Sequence, residues 1–388
     1  MKRAADTRPA ARGGVAILGS TGSIGTTALR VLARHRDRFH VAALTAYSNA
    51  ALLGEQAAQF APGYVGIVHP EGAVRSGWRT GAEALVEAAT RDDASTVLNA
   101  VVGAAGLDAT LAALAAGKRV ALANKETLVM GGALVTDAAR DGGGELVPVD
   151  SEHSAILQCL VGRSAADVRR LVLTASGGPF RDWPRERLDQ ATVGDALRHP
   201  TWRMGRKITV DSATLANKAL EVIEAHHLFD IPYDRIDVVV HPQSVVHSFV
   251  EFVDGSVIAQ MGVPSMELPV LYALTHPERV HDTGVPPFDP VESGPLTFER
   301  VRWDDFAALR LGVEAGRAGG VMPAVFNAAN EEAVALFLDG RFPFGQISRA
   351  IERALDVAAR ESAAPLSLDT LRAADAAARR TVKETARC

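Results

Sequence analysis

Two carboxylates stand two residues apart in the stretch PVDSEH, which covers residues 148–153. Asp150 and Glu152 follow the apolar run ELVPV, so they fall where a short buried strand ends and a polar segment begins. Carboxylate oxygens grouped in this way are the ligands that Mg²⁺ and Mn²⁺ prefer. The same spacing also fits a polar turn without a ligand, and this motif alone leaves both interpretations open.

A second group of reactive side chains lies in DSATLANKALEVIE, whose apolar spacing predicts one helix. Lys218 and Glu221 are three residues apart, so they share a face of that helix. Lys218, with Asn217 and Ser212, would bind a phosphate, and Glu221 would add a third carboxylate to the pair in PVDSEH. An intrahelical Lys–Glu pair on a solvated face is the alternative, and the helix taken alone favours it.

A glycine loop, GSTGSIG at residues 19–25, follows the apolar run VAIL and precedes a helical pattern. Glycines at such a turn let the backbone approach a pyrophosphate, and the helix that follows offers unpaired N–H groups to its charge. This context favours a dinucleotide site. A strand-to-helix turn without a ligand is the alternative.

The end of the second predicted strand, LTAYSNA, bears on the choice of dinucleotide. NAD sites usually carry an acidic residue there to bind the ribose hydroxyls, whereas this loop offers the neutral Ser48 and Asn49. No carboxylate would repel the extra phosphate of NADP, so NADP is predicted, although the loop also lacks Arg and Lys. Lys125, in LANKETL at a later strand end, is predicted to orient the substrate.

Composition excludes several classes of protein. The chain has 388 residues, too many for one ordinary core, and a formal net charge of −5 without a basic block. A nucleic-acid partner is therefore not expected. Two cysteines exclude a disulfide framework and fit the reducing cytoplasm. No apolar run reaches the roughly 18 residues that a membrane span needs, so no membrane partner is expected.

The order of strand and helix patterns predicts an α/β protein of three parts. Alternating apolar strands and helices up to Asp150 predict a Rossmann-like parallel sheet domain with helices on both faces. Val- and Ile-rich strands then predict a central α+β catalytic domain, and helical spacing from Phe306 onward predicts a C-terminal helical bundle. We predict a disordered tail at residues 1–14, an NADPH-binding domain at 15–150 and a catalytic and metal-binding domain at 151–280. A linker at 281–305 and a helical domain at 306–388 follow.

Seven motifs in order carry a resemblance to a known family: GSTGSIG, VVGAAGL, LANKE, PVDSEH, TASGGPF, HPTWRMGRKITVDSATLANKALE and HPQSVVHS. Together they resemble the 1-deoxy-D-xylulose 5-phosphate reductoisomerases, the NADPH enzymes of non-mevalonate isoprenoid biosynthesis. The resemblance runs from about Val15 into the helical C-terminal region. It implies a cytoplasmic homodimer that uses NADPH and Mg²⁺ or Mn²⁺ to convert this sugar phosphate into 2-C-methyl-D-erythritol 4-phosphate.

The resemblance also implies roles for individual residues. The metal ligands would be Asp150, Glu152 and Glu221. The substrate hydroxyls would meet Lys125, Ser151 and Glu152. The phosphate would be held by Ser176, Ser212, Asn217 and Lys218, with His199 beside them. A mobile lid would cover residues 199–206, with Trp202 and Met204 over the substrate. The cofactor would contact Thr21, Gly22, Ser23, Ile24, Asn124, Glu126 and Gly205, and the loop after the second predicted strand adds Ser48 and Asn49 to this set. His153 and His247 are expected near the site.

The chain departs from the family pattern in the second-strand loop. Many members carry Gly and a basic residue where this chain has Tyr47 and Ser48. The sequence therefore does not identify the residues that bind the 2′-phosphate of NADPH. Two other functions also remain. Another NADP-dependent dehydrogenase of similar layout is one, although an aspartate-type semialdehyde dehydrogenase would need a nucleophilic cysteine and Cys159 lies in an apolar run. An inactive NADP-binding sensor is the other.

Overall fold

A computed structural model describes residues 12–202, 204–360 and 365–386. Most of the predicted tail, Arg203 of the predicted lid and Cys388 lie outside this part of the chain. The first strand begins at Gly13, whose partner in the neighbouring strand is Phe39. The prediction of a disordered tail therefore does not hold for residues 13–14, because their backbone is part of a sheet.

The N-terminal part of the described chain contains seven strands that pair in parallel: β1 (Gly13–Leu18), β2 (Phe39–Ala46), β3 (Tyr64–Ile67), β4 (Arg79–Thr80), β5 (Thr96–Asn99), β6 (Arg119–Leu122) and β7 (Glu145–Pro148). Their order in the sheet is β4-β3-β2-β1-β5-β6-β7. The chain thus reverses its direction of travel between β1 and β5. Ligands of open parallel sheets bind outside the carboxyl ends of the strands at such a point.

Helices cover both faces of this sheet: α1 (Ser23–Arg34), α2 (Ala50–Phe60), α3 (Glu83–Thr90), α4 (Leu107–Ala115) and α5 (Lys125–Gly142). Two apolar cores result, one with Leu29 and Leu32 of α1 and the other with Leu85 of α3 and Leu114 of α4. A parallel sheet needs this double cover because both of its faces are apolar. The prediction of a Rossmann-like domain is confirmed.

The central part begins with α6 (Ser151–Leu160). Its sheet has the order β11-β10-β8-β9-β12 and consists, within the described residues, of β8 (Val168–Ala175), β9 (Ile236–Val240), β10 (Val246–Phe252), β11 (Val257–Met261) and β12 (Glu299–Arg300). The helices here are α7 (Arg185–Leu188), α8 (Val193–Ala196), α9 (Arg206–Thr214), α10 (Ala216–Phe229) and α11 (Glu267–Thr275). Parallel and antiparallel pairs occur together, which confirms the predicted α+β class.

Two details of the central part differ from expectation. The single helix predicted for DSATLANKALEVIE is two helices, because Leu215 adopts a left-handed conformation, with φ 59°, that ends α9 and starts α10. The predicted linker at 281–305 is partly ordered by the fold. Its Asp282 is buried and lies 2.6 Å from Arg34 of α1, and β12 pairs with β9.

The C-terminal part of the described chain is helical, as predicted, with α12 (Ala307–Ala318), α13 (Met322–Leu338), α14 (Gln346–Ala358) and α15 (Leu368–Thr385). Phe326 and Phe337 of α13 belong to the same apolar core as Phe180 and the strands of the central sheet. Helix α13 also contacts α5 and α9. The helical bundle therefore supports the elements that carry the candidate site.

Candidate active site

A cavity lies between the carboxyl edge of the seven-stranded sheet and the helix pair α9–α10. Its wall contains most of the side chains that the sequence singles out: Ser23, Ile24, Lys125, Asp150, Ser151, Glu152, Ser176, His199, Trp202, Met204, Gly205, Ser212, Asn217, Lys218 and Glu221. His247, expected near the site, also lines the cavity, and the wall is completed by residues that the sequence did not single out: Ala123, Thr174, Ala175, Gly177, Ile208, Leu215, Ser244 and Met266. Segments far apart in the sequence meet in this one cavity.

Three carboxylates converge at one end of the cavity, and we call them the carboxylate triad. Asp150 follows β7, Glu152 lies in the first turn of α6, and Glu221 projects from α10. One oxygen from each lies within 4.8 Å of the others. PVDSEH therefore belongs to a carboxylate cluster of the kind that binds cations, and not to an isolated polar turn.

Two lysines compensate the charge of the triad. The ammonium of Lys125 contacts Asp150 and lies 3.2 Å from Oε1 of Glu221. The ammonium of Lys218 contacts Glu221 and lies 3.0 Å from Oε1 of Glu152. Burial alone would raise the pKa of Glu152, but Lys218 and Lys125 outweigh it and hold that pKa below its usual range.

The Lys218–Glu221 pair considered from the sequence exists, but not on a solvated face. The two side chains are 4% and 1% exposed, and both line the cavity. Burial opposes the charge of Lys218, yet Glu152 and Glu221 raise its pKa overall. Lys218 also donates to the backbone oxygen of Thr174 at 2.5 Å, so its three N–H groups all have partners.

The donor set fits a hard divalent cation. All three groups are carboxylates, and Mg²⁺ and Mn²⁺ prefer such oxygen ligands to nitrogen or sulfur. Oδ2 of Asp150 is buried and accepts no hydrogen bond of good geometry, although the Lys125 ammonium touches it. Asp150, Glu152 and Glu221 could therefore hold one such ion.

Ser176 and His199 form a second hydrogen-bonded group in the wall of the cavity. Nδ1 of His199 accepts hydrogen bonds from the backbone N–H groups of Thr201, at 3.1 Å, and Trp202, at 2.9 Å. In the neutral ring the proton must then sit on Nε2, which donates to the Ser176 oxygen at 3.0 Å. Burial lowers the pKa of His199 and so favours this neutral form.

The hydroxyl hydrogen of Ser176 is consequently free for a ligand. Its oxygen accepts hydrogen bonds from His199 and from the N–H of Gly178, at 3.2 Å, which uses both lone pairs. Ser212 and Asn217 also line the cavity, and the break at Leu215 places Asn217 in the first turn of α10. Asn217 donates to Oε1 of Glu221 at 2.5 Å.

The glycine loop forms the dinucleotide side of the cavity. Gly22 precedes α1, and no side chain caps this helix, so N–H groups of the first turn remain free for an anion. Ser23 and Ile24 line the cavity, while Thr21 lies in the turn before them. Ser48 and Asn49 follow β2 at the same sheet edge, where the described structure has no acidic side chain in this loop.

The structure does not place the side chains of Asn124 and Glu126 in the cavity. The amide of Asn124 donates to the carbonyl groups of Val101, at 2.7 Å, and Gly103, at 2.9 Å, and its oxygen caps α5. Glu126 lies 2.9 Å from Nζ of Lys207. Both side chains are used within the protein.

Sequence reasoning missed Lys207 and Asp211, which accompany Glu126. They are four residues apart on α9 and form an ion pair of 2.9 Å. That spacing is a recognisable helical pair, although it does not reveal the partner on α5. The two expected histidines do lie near the site: His247 lines the cavity, and Nε2 of His153 is 2.8 Å from the backbone oxygen of Glu221.

The parallel sheet, the glycine loop and the carboxylate triad define a dinucleotide-dependent oxidoreductase with a site for a divalent cation. Comparison with known proteins narrows this class. Residues 15–132 match the family model of 1-deoxy-D-xylulose 5-phosphate reductoisomerase, and residues 146–229 and 261–381 match two models of its C-terminal domains. The chain belongs to the 1-deoxy-D-xylulose 5-phosphate reductoisomerase family.

Individual reductoisomerases are similar in sequence to this chain over nearly its whole length. The reductoisomerase of Synechocystis sp. is 51% identical over 386 residues, covering 96% of this chain and 98% of that protein. The reductoisomerase of Chloroherpeton thalassium is also 51% identical, over 381 residues, with 96% and 98% covered.

Solved structures give the same result. The Zymomonas mobilis reductoisomerase in complex with NADPH is 42% identical, with a TM-score of 0.88 and coverage of 97% of this chain and 99% of that one. A reductoisomerase in complex with NADPH, fosmidomycin and magnesium is 38% identical, with a TM-score of 0.90 and coverage of 97% and 98%. The expected enzyme class and the cofactors, NADPH with Mg²⁺ or Mn²⁺, are confirmed, and the alternative functions are not favoured. None of the helices described here has the length and apolarity to cross a bilayer.

Proposed function

We propose that this chain rearranges and reduces 1-deoxy-D-xylulose 5-phosphate to 2-C-methyl-D-erythritol 4-phosphate, and that the cavity described above is its active site. The observation that carries this proposal is the shared cavity of the carboxylate triad and the first turn of α1. A reaction that breaks and forms carbon–carbon bonds next to a carbonyl needs charge stabilised on oxygen. A reduction in the same enzyme needs the dinucleotide beside that oxygen.

At the triad end, Asp150, Glu152 and Glu221 would hold the divalent ion, which when bound supplies Lewis-acid stabilisation of negative charge on substrate oxygens. Lys125 stands between two of these carboxylates and would donate to a substrate hydroxyl. Ser151 donates to Glu152 at 2.5 Å, and both side chains would contact a second substrate hydroxyl. These contacts would fix the reacting carbons relative to the dinucleotide.

At the other end, the Ser176 hydroxyl, Ser212, Asn217 and Lys218 would hold the phosphate, and His199 keeps Ser176 oriented as a donor. Lys218 must give up one of its three present partners to reach a phosphate oxygen. Binding energy at this non-reacting end positions the sugar end of the substrate.

The segment 199–206 would act as the lid. Trp202 and Met204 line the cavity and would place apolar surface over the substrate. Excluding water in this way protects the charged intermediate and the path of the hydride. The ring of Trp202 lies 6.5 Å from that of His247, which would receive the indole on the cavity wall.

On the dinucleotide side, NADPH when bound supplies the hydride. The backbone of Thr21, Gly22, Ser23 and Ile24 would bind its pyrophosphate at the start of α1. Ser48 and Asn49 would lie at its adenosine end, and Gly205 at its nicotinamide end. Because the side chains of Asn124 and Glu126 have partners within the protein, their contact with the cofactor would come from the backbone.

We further propose that the enzyme is a cytoplasmic homodimer. Strand β11 is at the edge of its sheet, and its flank exposes Val257 and Val263, which are 55% and 40% exposed. The unpaired N–H and C=O groups of an exposed edge strand are a template for pairing with a second chain, and this supports a dimer through β11. Light scattering on the purified protein tests the dimer, and fractionation of cells tests the compartment.

The proposed function is tested by NADPH oxidation after addition of 1-deoxy-D-xylulose 5-phosphate, with Mg²⁺ and with EDTA. We expect turnover with the ion and none with the chelator. Asp150→Asn and Glu221→Gln should abolish this turnover while leaving the thermal transition and NADPH binding intact. Asp237→Asn, at an exposed carboxylate of β9, is the matched control and should be fully active. Normal turnover by either triad variant in EDTA would refute the metal assignment.

A further inference from the structure

An ion-pair cluster outside the cavity, which we call the brace, joins α5 to α9. It consists of Lys207, Glu126 and Asp211. Nζ of Lys207 lies 2.9 Å from Oε1 of Glu126 and 2.9 Å from Oδ2 of Asp211. The two carboxylate side chains are 9% and 1% exposed, whereas that of Lys207 is 20% exposed. A single ammonium thus separates two buried carboxylates that would otherwise repel each other.

The outer oxygens of the brace also have partners. Oε2 of Glu126 accepts from the amide of Asn124 at 3.1 Å, and Oδ1 of Asp211 accepts from the amide of Asn330 at 2.8 Å. Asn124 caps α5, and Asn330 belongs to α13 of the helical bundle. Both carboxylates are therefore held in one orientation, and the brace has little freedom to rearrange.

Two residues of the brace are direct sequence neighbours of residues that line the cavity. Glu126 directly follows Lys125, and Asp211 directly precedes Ser212. Adjacent helical residues point about 100° apart, so a side chain of each pair can face the cavity while its neighbour faces the brace. Lys125 and Ser212 line the cavity, whereas Glu126, Lys207 and Asp211 lie outside its wall.

We propose that Lys207 is a positioning residue that sets the separation between Lys125, at the sugar end of the substrate, and Ser212, at its phosphate end. This inference rests on the proposed function, from which the two substrate roles are taken. Lys207 touches neither substrate nor reacting atoms. It acts by holding the first turn of α5 and the middle of α9 at a fixed distance.

The test compares a ligand that spans both ends with one that occupies a single end. Lys207→Met removes the ammonium and keeps the length of the side chain. We expect its kcat/KM for 1-deoxy-D-xylulose 5-phosphate to fall about a hundred-fold, because a misplacement of about 1 Å has this effect. Inorganic phosphate, used as a competitive inhibitor, contacts only the Ser212 end, so its inhibition constant should not change. Binding of NADPH should not change either.

Lys118→Met is the matched control. This lysine is buried, whereas Lys207 is partly exposed, and the ammonium of Lys118 donates to the backbone oxygens of Arg91 and Ala94, away from the brace. We expect a loss of thermal stability but no selective loss of kcat/KM. Lys207→Met/Asp211→Asn also removes one of the two repelling carboxylates, so it should recover part of the lost kcat/KM and be more stable than Lys207→Met.

The inference is overturned if Lys207→Met keeps the wild-type kcat/KM. It is also overturned if phosphate inhibition weakens as much as substrate turnover, since a general loss of structure would do this. Should Lys207→Met not fold, the double variant decides in the same two assays. Failure of the wild-type enzyme to oxidise NADPH with the sugar phosphate would instead refute the proposed function, so the two failures are distinguishable.

Discussion

The side-chain oxygen of Asn49 accepts a hydrogen bond from the backbone N–H of Leu52 at 3.1 Å, and so caps helix α2 at the sheet edge where the adenosine end of NADPH would lie. The same residue is therefore needed by the helix and, in the proposed site, would lie beside the extra phosphate of the cofactor. This double position allows the two contributions to be separated by substitution.

Two changes at Asn49 should have opposite signatures. Asn49→Ala removes the cap and should lower the free energy of unfolding by about 1 kcal/mol. Asn49→Asp keeps a capping oxygen but adds a negative charge, so it should be as stable as the wild type and lose preference for NADPH over NADH. The measurements are urea denaturation and kcat/KM with each dinucleotide. An unchanged cofactor preference in Asn49→Asp would remove this residue from the 2′-phosphate site.

The glycines of the loop should tolerate alanine very differently. A Cβ on Gly25 would overlap the backbone oxygen of Gly19 and lie 2.5 Å from Cα of Ser20, so Gly25→Ala should destabilise the sheet domain. A Cβ on Gly22 meets only the Gly19 oxygen, at 3.4 Å. Gly22→Ala should therefore fold normally and weaken NADPH binding through crowding of the pyrophosphate. Fluorescence titration with NADPH and thermal denaturation of both variants check this contrast.

The neutral ring of His199 should set an acid limit on catalysis. Its pKa is lowered by burial, so the ring stays neutral until the pH falls below the ordinary value of about 6.5. A second proton would occupy Nδ1 and abolish the acceptor used by the N–H of Trp202. We expect kcat/KM to decline only at pH values below that ordinary pKa.

His199→Asn is the control for this pH effect, because an amide oxygen can still accept from the segment but no longer titrates. It should lose the acid limb that arises from this ring. It should also raise KM about ten-fold, as expected for one lost hydrogen bond to Ser176. An acid limb identical in the variant would assign the titration to another group.

His227 should lower the stability of the fold in acid. Burial, followed by the neighbouring His226, lowers the pKa of His227 to about 4. Above about pH 6.5 the ring is neutral in both the folded and the unfolded chain. Between about pH 6.5 and about pH 4 the ring is protonated in the unfolded chain but stays neutral in the folded one. Stability should therefore fall as the pH falls through this window, by about 3 kcal/mol, because folding lowers the pKa of the ring by about 2.5.

His227→Asn should flatten the fall in stability over that window, whatever its effect at neutral pH. His69→Asn, at an exposed histidine, should leave the slope as in the wild type. The observable is the urea midpoint at several pH values. Equal slopes for the wild type and His227→Asn would contradict the assignment.

The sequence was sufficient for the architecture and for one end of the site. Apolar alternation predicts the parallel sheet, and the position of Asp150 and Glu152 after a strand predicts their place at its carboxyl edge. The sequence could not show that Glu126 faces Lys207, because this contact joins residues 81 apart on two helices, α5 and α9, that are brought together by their common packing on α10 and α13. Nor did it show the helix break, since no glycine marks the left-handed residue Leu215.

Leu215 has a consequence for protein engineering. A bulky residue in the left-handed region costs about 1–3 kcal/mol, and this one is buried at the corner that turns Asn217 and Lys218 into the cavity. Replacing Leu215 with glycine would relieve this strain but would also remove a buried leucine side chain, which costs about 2–5 kcal/mol, so the exchange would not gain thermostability. Ala61 at the end of α2 is also left-handed, but it is exposed. Replacing Ala61 with glycine would relieve the same backbone strain without this cost, so a search for more thermostable variants should begin there.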